Sequence, residues 1–218
     1  AGAGADLPAT LDALVQATGA GGSAAHLAKP ALPDLPPLGP LTPESLTPVI
    51  ARAIPEGAVV VDESVTTGRG FGPATAGAPP HDWLNNCGGS IGYGLPVSIG
   101  AAIACPDRKV LALISDGSAM YTVQALWTLA REGLDVTVVI FANRAYQILR
   151  GELTNVGVQN PGPRAIDMLS LVRPTLGWVD MARGMGVEAT RVEDTADFAL
   201  ALDAGLSTPG PVLIEAVM

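Results

Sequence analysis

The chain has 218 residues, enough for one large domain or one domain with an appendage, and at 48% hydrophobic and 15% charged residues it can bury a core without disulfide or metal staples. Twelve basic against 21 acidic side chains leave a formal net charge of −9, which excludes a nucleic-acid surface and a polybasic membrane patch, so an anionic ligand must be held by local groups. Cys87 and Cys105 form neither a disulfide framework nor a CxxC pair, which sets aside a zinc site and makes a reducing cytoplasm the expected compartment. No apolar run approaches a membrane span, and the opening residues AGAGADLPAT lack the basic and apolar regions of a secretory signal.

Leu7, Leu11, Leu14 and Val15 recur at helical spacing and the glycine-rich stretch 19–22 stops the pattern, which predicts a short helix over residues 6–17. From Ser23 to Pro48 the chain carries Pro30, Pro33, Pro36, Pro37, Pro40, Pro43 and Pro48, which reads as a stiff extended linker. Residues 1–22 are therefore expected to be the tail of a preceding domain, 23–48 a linker and 49–218 a second domain, all within a longer polypeptide.

A helical stretch near Thr47–Ala53 leads into alternating apolar runs and helical patterns. The runs Ala58–Asp62, Val110–Ile114, Val136–Ala142, Val187–Val192 and Val212–Val217 read as buried strands, with helices near 94–104, 119–132, 177–185 and 195–206. The helix near 119–132 is expected to begin past Ser118 and to end on Gly133. Such alternation predicts an α/β fold, a doubly wound, mostly parallel sheet with helices on both faces, whose ligands sit at the carboxyl ends of the strands.

The run Val110–Ile114 feeds into Ser115-Asp116-Gly117-Ser118, placing a carboxylate and then exposed amides at a strand end and helix start. Amides there attract phosphate, and an acid beside phosphate requires a hard cation between them, for which magnesium is the usual answer. The next run ends in Asn143, 27 residues further on, so Asp116 and the Asn143 amide oxygen can face one ion from adjacent strand ends. Asp-Gly and Asn are equally at home in plain turns. After Ala58–Asp62 come Glu63-Ser64-Val65-Thr66-Thr67-Gly68, whose hydroxyls and backbone suit a second side of a diphosphate or simply a helix cap. The stretch Cys87-Gly88-Gly89-Ser90-Ile91-Gly92-Tyr93-Gly94-Leu95-Pro96 permits close backbone approach to a flat ligand, or a tight packing turn. Neither G-x-G-x-x-G nor G-x-x-x-x-G-K-[ST] occurs, which removes the best support for nicotinamide or nucleoside triphosphate binding.

The segment SDGSAMYTVQALWTLAREGLDVTVVIFAN, residues 115–143, resembles the thiamine-diphosphate motif, G-D-G followed after about thirty residues by N-N. The wider sequence 57–218, with CGGSIGYGLP and the terminal GPVLIEAVM, is similar to the pyrophosphate-binding domain of the acetolactate synthase, pyruvate oxidase and benzoylformate decarboxylase family. That resemblance implies that residues 49–218 bind thiamine diphosphate and Mg2+, with Asp116, Asn143 and the Ala145 carbonyl as metal ligands. It implies diphosphate contacts from Gly117 and Ser118, joined by Ser64, Val65, Thr66 and Tyr146. It further implies that the Gly89 carbonyl accepts from the aminopyrimidine amine, that Ser90 lies beside it, and that Ile91 sits under the cofactor and bends it. Leu149 and Glu152 match positions that wall the substrate pocket.

Three departures stand out: Ser115 replaces the first glycine of G-D-G, Ala142 the first asparagine of N-N, and Arg144 follows where a small residue is common. The family's activating glutamate lies on a pyrimidine-binding domain of a neighbouring subunit, so no catalytic residue is expected in these 218 residues and the chain alone is expected to be inactive. Glu63 and Glu152 are poor substitutes. The resemblance implies action on a 2-oxo acid, with acetolactate-synthase-like carboligation ahead of simple decarboxylation, in a homo-oligomer of the full enzyme. FAD, where the family uses it, is expected only in the full-length protein. A non-catalytic domain that binds cofactor or pairs with an intact subunit, and a flavodoxin-like nucleotide module, are the rival readings. His26 and His81 read as surface or packing residues, Cys87 as a small packed group, and Met120 and Trp127 as core.

Overall fold

The structure, a computed structural model, describes residues 2, 4–19, 21, 22 and 30–218. His26 and the first part of the expected linker lie outside the described residues. The chain divides into two compact units, residues 1–30 and 31–218.

The first unit carries α1 (Leu7–Thr18), one residue displaced from the expected helix. The Asp6 carboxylate accepts from the Ala9 amide at 3.0 Å to cap its start, and Gly19 ends it in the left-handed conformation at φ 67°.

The second unit begins at residue 31, inside the stretch expected as linker. Leu41 is buried, its amide donates to the Glu193 carbonyl at 3.2 Å, and the Gly39 amide donates to Thr195 Oγ1 at 3.1 Å. Helix α2 (Pro43–Ala53) then includes two of the prolines that were read as linker. Pro43 opens the helix, where a missing N–H costs nothing. A reciprocal pair fixes the start: Thr42 Oγ1 accepts the Ser45 amide at 3.1 Å, and Ser45 Oγ accepts the Thr42 amide at 2.9 Å. Pro48 is tolerated in the interior because Leu46, Val49 and Ile50 bury the apolar face around it.

Six strands follow: β1 (Val59–Glu63), β2 (Asp82–Asn85), β3 (Val110–Ser115), β4 (Val136–Ala142), β5 (Glu188–Val192) and β6 (Val212–Val217). All pairings are parallel, in the order β2-β1-β3-β4-β6-β5. The expected α/β sheet is therefore present and wholly parallel. Strand β2 was not anticipated; it is a short edge strand, mostly exposed, and DWLN carries no apolar run.

Alternate residues divide the core between the two faces. Val61, Ala112, Ile114, Val138 and Ile140 pack with α4 (Gly94–Ala104), α6 (Ala125–Glu132) and α9 (Trp178–Gly184). Val60, Leu111, Leu113, Val139 and Phe141 pack with α2, α3 (Phe71–Thr75) and α10 (Thr195–Ser207). The helix expected near 119–132 is two pieces: a single turn, α5 (Asp116–Ala119), that starts directly on Asp116, and α6, which ends on left-handed Gly133. Met120 and Trp127 are not core; they are 38% and 52% exposed, with the Arg131 guanidinium 5.3 Å from the Trp127 ring centre. Cys87 is exposed rather than packed, and His81 stacks edge-on against Trp83.

From β1 the chain crosses to β2 on one side and returns to β3 on the other, so the order reverses between β1 and β3. The carboxyl ends of these strands bound the crevice in which open parallel sheets hold ligands. Among the described residues no helix is long and apolar enough to cross a membrane.

Candidate functional site

A pocket opens at this reversal. Val65 and Thr66 line it from the end of β1, Ser115, Gly117 and Ser118 from the end of β3, Asn143, Ala145 and Tyr146 from the end of β4, and Ile91 from the glycine-rich loop. Gln147 and Ile148, at the start of α7 (Gln147–Asn155), complete the wall. Three segments far apart in sequence converge because β1, β3 and β4 are consecutive neighbours in the sheet.

Asp116 is buried, 1% exposed, beside the pocket-lining Gly117, and does not itself line the pocket. One carboxylate oxygen accepts the Gly117 amide at 2.8 Å and the other the Arg144 amide at 2.7 Å. Burial pushes its pKa from 3.8 up to about 6, against the pull of those two amides and of the Arg144 charge. Asn143 Oδ1 accepts the Ala145 amide at 3.0 Å. Backbone N–H groups thus fix the Asp116 carboxylate and the Asn143 side-chain oxygen, two hard oxygen donors at neighbouring strand ends. Such a set suits magnesium. Among the described residues no group of three or more His, Cys, Asp or Glu side chains converges.

Gly117 is required by close approach: a Cβ there would lie 2.8 Å from the Tyr146 ring. Its amide and that of Ser118 stand at the opening turn of α5 beneath the pocket. Val65 and Arg144, at φ 51° and 57°, hold left-handed backbone that β-branched and long side chains rarely adopt. Both follow strand ends at the site, where such strain is stored to aim backbone groups.

Ser64 differs in role from Val65 and Thr66. It is fully buried, its amide and hydroxyl both donate to Asp62 Oδ1, and its carbonyl accepts from Ser115 Oγ at 2.6 Å. The serine at the first motif-glycine position therefore ties the ends of β1 and β3 together. Gly89 and Ser90 are exposed on the loop beside the pocket and do not line it. Leu149 and Glu152 lie further along α7, both exposed, with Glu152 accepting from the Asn155 side chain at 3.1 Å. Arg144 does not line the pocket either; its charge acts on Asp116 and on Glu215, a buried acid of β6. Gln147 and Ile148 were missed because nothing in QIL distinguishes pocket wall from ordinary helix start.

The comparisons with known proteins meet this geometry. A family model described as the thiamine pyrophosphate enzyme C-terminal TPP binding domain matches residues 71–216. A Mycobacterium tuberculosis protein with the name "Putative acetolactate synthase large subunit IlvX" is 55% identical over 178 residues, 81% of this chain and 35% of that protein. A Pseudomonas aeruginosa benzoylformate decarboxylase is 34% identical over 173 residues, 79% of this chain and 31% of that protein. The solved Rhodococcus jostii thiamine diphosphate-dependent 4-hydroxybenzoylformate decarboxylase superposes with a TM-score of 0.74 at 30% identity, over 86% of this chain and 34% of that one. This chain thus spans about a third of the length of the proteins it matches.

Proposed function

The chain belongs to the thiamine pyrophosphate enzymes, as their C-terminal TPP-binding domain, and from that premise we propose that it forms the cofactor-binding part of an enzyme that acts on 2-oxo acids by acetolactate-synthase-like carboligation. The observation that carries the reading is the convergence of Gly117 and Ser118 with Asn143, Ala145 and Tyr146 around one pocket at the strand-order reversal, with the buried Asp116 carboxylate beside Gly117 accepting the Arg144 amide. In this reading the Asp116 carboxylate, the Asn143 side chain and the Ala145 carbonyl hold Mg2+. Val65, Thr66, Gly117, Ser118 and Tyr146 hold the diphosphate, with Ser64 setting the position of the first two. Gly89, Ser90 and Ile91 meet the pyrimidine end, and Leu149 and Glu152 border the substrate.

When bound, thiamine diphosphate supplies the electron sink for cleaving the bond between a carboxylate and its 2-oxo carbon. The residues of this chain do the positioning. In this reading the polar groups that line the pocket and a divalent cation balance the diphosphate in a chain whose net charge is −9. Neither Glu63 nor Glu152 is placed for a proton-transfer role: both Glu63 oxygens accept backbone amides, and Glu152 is exposed on α7. In this reading the chain acts together with a pyrimidine-binding domain from the same or a neighbouring subunit, in a homo-oligomer in the cytoplasm, and FAD belongs to the full-length protein if it is used.

Simple decarboxylation is the second reading, favoured by the likeness to the benzoylformate decarboxylase and to the solved 4-hydroxybenzoylformate decarboxylase. Incubating the full-length protein with pyruvate, benzoylformate, thiamine diphosphate and Mg2+ separates the two. Carboligation predicts acetolactate from pyruvate, decarboxylation predicts an aldehyde as the only product, and the absence of both products refutes both readings.

A further inference from the structure

The site leaves one buried carboxylate without a role. Glu63 closes β1, is 2% exposed, and accepts the amides of Gly92 and Gly94, the latter at 2.7 Å. Burial pushes its pKa up, and these amides draw it back; no basic side chain takes part. The acid thus binds the far end of the glycine-rich loop from inside the protein.

Two hydroxyls hold the same end. Thr122 donates to the Gly92 carbonyl at 2.9 Å, and Tyr93 donates to the carbonyls of Asp62 and Leu84, the second at 3.2 Å. There is no slack: a Cβ at Gly94 would lie 2.6 Å from the Glu63 carboxylate, and one at Gly92 would lie 2.7 Å from Tyr121 Cβ. Upstream, residues 87–91 are exposed, and Gly88 and Gly89 both take φ 70°. The placement of Ile91 in the pocket wall, and of Gly89 beside the pocket, therefore depends on where Gly92 is anchored.

We infer that Glu63 is a positioning residue for the pyrimidine end of the cofactor: by holding the amides of Gly92 and Gly94, it sets where the Gly89 carbonyl and Ile91 face the pocket. It touches neither cofactor nor substrate. The inference rests on the proposed cofactor assignment and adds a residue to it. A carboxylate suits the task because it offers acceptor oxygens to both amides. A glutamine offers one oxygen and turns an NH2 toward the other N–H. The diphosphate half of the proposed site draws on β3, β4 and the segment after β1, whereas the Glu63 carboxylate bonds the amides of the glycine-rich loop, so removing that carboxylate acts first on the pyrimidine end of the ligand.

That selectivity is the test. In the full-length protein, wild type, Glu63→Gln and Glu63→Ala are titrated by calorimetry with thiamine diphosphate plus Mg2+ and, separately, with inorganic diphosphate plus Mg2+. Glu63→Ala is expected to weaken cofactor binding about tenfold or more, and Glu63→Gln by a smaller factor. Diphosphate binding should stay at the wild-type value, and the near-ultraviolet circular dichroism of the bound aminopyrimidine should fall even at saturation. Glu63→Gln keeps the side-chain volume and one acceptor, so it carries the comparison if the alanine variant does not fold. Wild-type cofactor binding in the variants, or equal weakening of both ligands, overturns the inference. A wild-type protein that binds no thiamine diphosphate overturns the cofactor assignment itself.

Discussion

At the scale of single residues, the site is defined by acids and backbone held in unusual states. Asp116 needs no cationic side chain because the amides of Gly117 and Arg144 meet its two oxygens, yet burial still lifts it to about 6. Between its ordinary value of 3.8 and about 6, the folded protein keeps a proton that the unfolded chain has released. This group's contribution to stability is therefore greatest at acid pH and falls as pH rises through that window. Metal binding needs the anion and follows the opposite course. Mg-dependent affinity for thiamine diphosphate should fall about tenfold per pH unit below pH 6, measured by calorimetry across the window. Asp116→Ala should abolish the Mg dependence altogether, and unchanged affinity in that variant would refute the metal assignment. Val65 tests the stored strain. Relaxing φ 51° with glycine recovers about 1–2 kcal/mol of left-handed strain against about 0.5–1 kcal/mol of added chain entropy. Val65→Gly should therefore melt no lower than wild type in the absence of ligand while binding the cofactor more weakly. A lower melting point would show that the conformation is not strained.

At the scale of elements, hydrophobic runs revealed what is buried on both faces and little else. VLALI, VTVVIFA and VLIEAV are strands within a residue of their expected ends because a parallel strand covered by helices reads as a continuous apolar run. DWLN escaped notice because an edge strand has no such requirement. Pro43 and Pro48 misled in the other direction: proline argues against a helix interior, but a capped start and three buried apolar neighbours outweigh it. The tract 119–132 was read as one helix because its period continues, whereas the chain turns at 120–124 to bring Tyr121 and Thr122 against Gly92. Trp127 shows the same limit, since period alone does not say which face is outward. The contrast is measurable. Leu126→Ala, at a fully buried position on α6, should cost about 2–5 kcal/mol in chemical denaturation, whereas Trp127→Ala should cost about 1 kcal/mol or less. Equal losses would contradict the orientation of α6.

At the scale of the whole molecule, the functional class was legible because chemistry concentrates where strands end. Ser115–Ser118 and Asn143 were readable as a pair, since one helix and one strand between them place their strand ends side by side. The support around them was not readable. Gly117 packing on Tyr146, Ser115 tying β1 to β3, and Glu63 gripping Gly92 and Gly94 are contacts between distant segments that leave no local pattern. With a net charge of −9, the molecule has no general attraction for a diphosphate, so binding must come from these few local groups and their cation. The central claim then reduces to joint dependence on two ligands. The most direct measurement is the thermal stability of the purified protein with thiamine diphosphate, with Mg2+, and with both, since a ligand that binds the native state raises its apparent stability. The account predicts a rise in melting temperature that requires both together and is lost in Asp116→Ala. A rise with thiamine diphosphate alone that Mg2+ does not enhance, or no rise with both present, would contradict it.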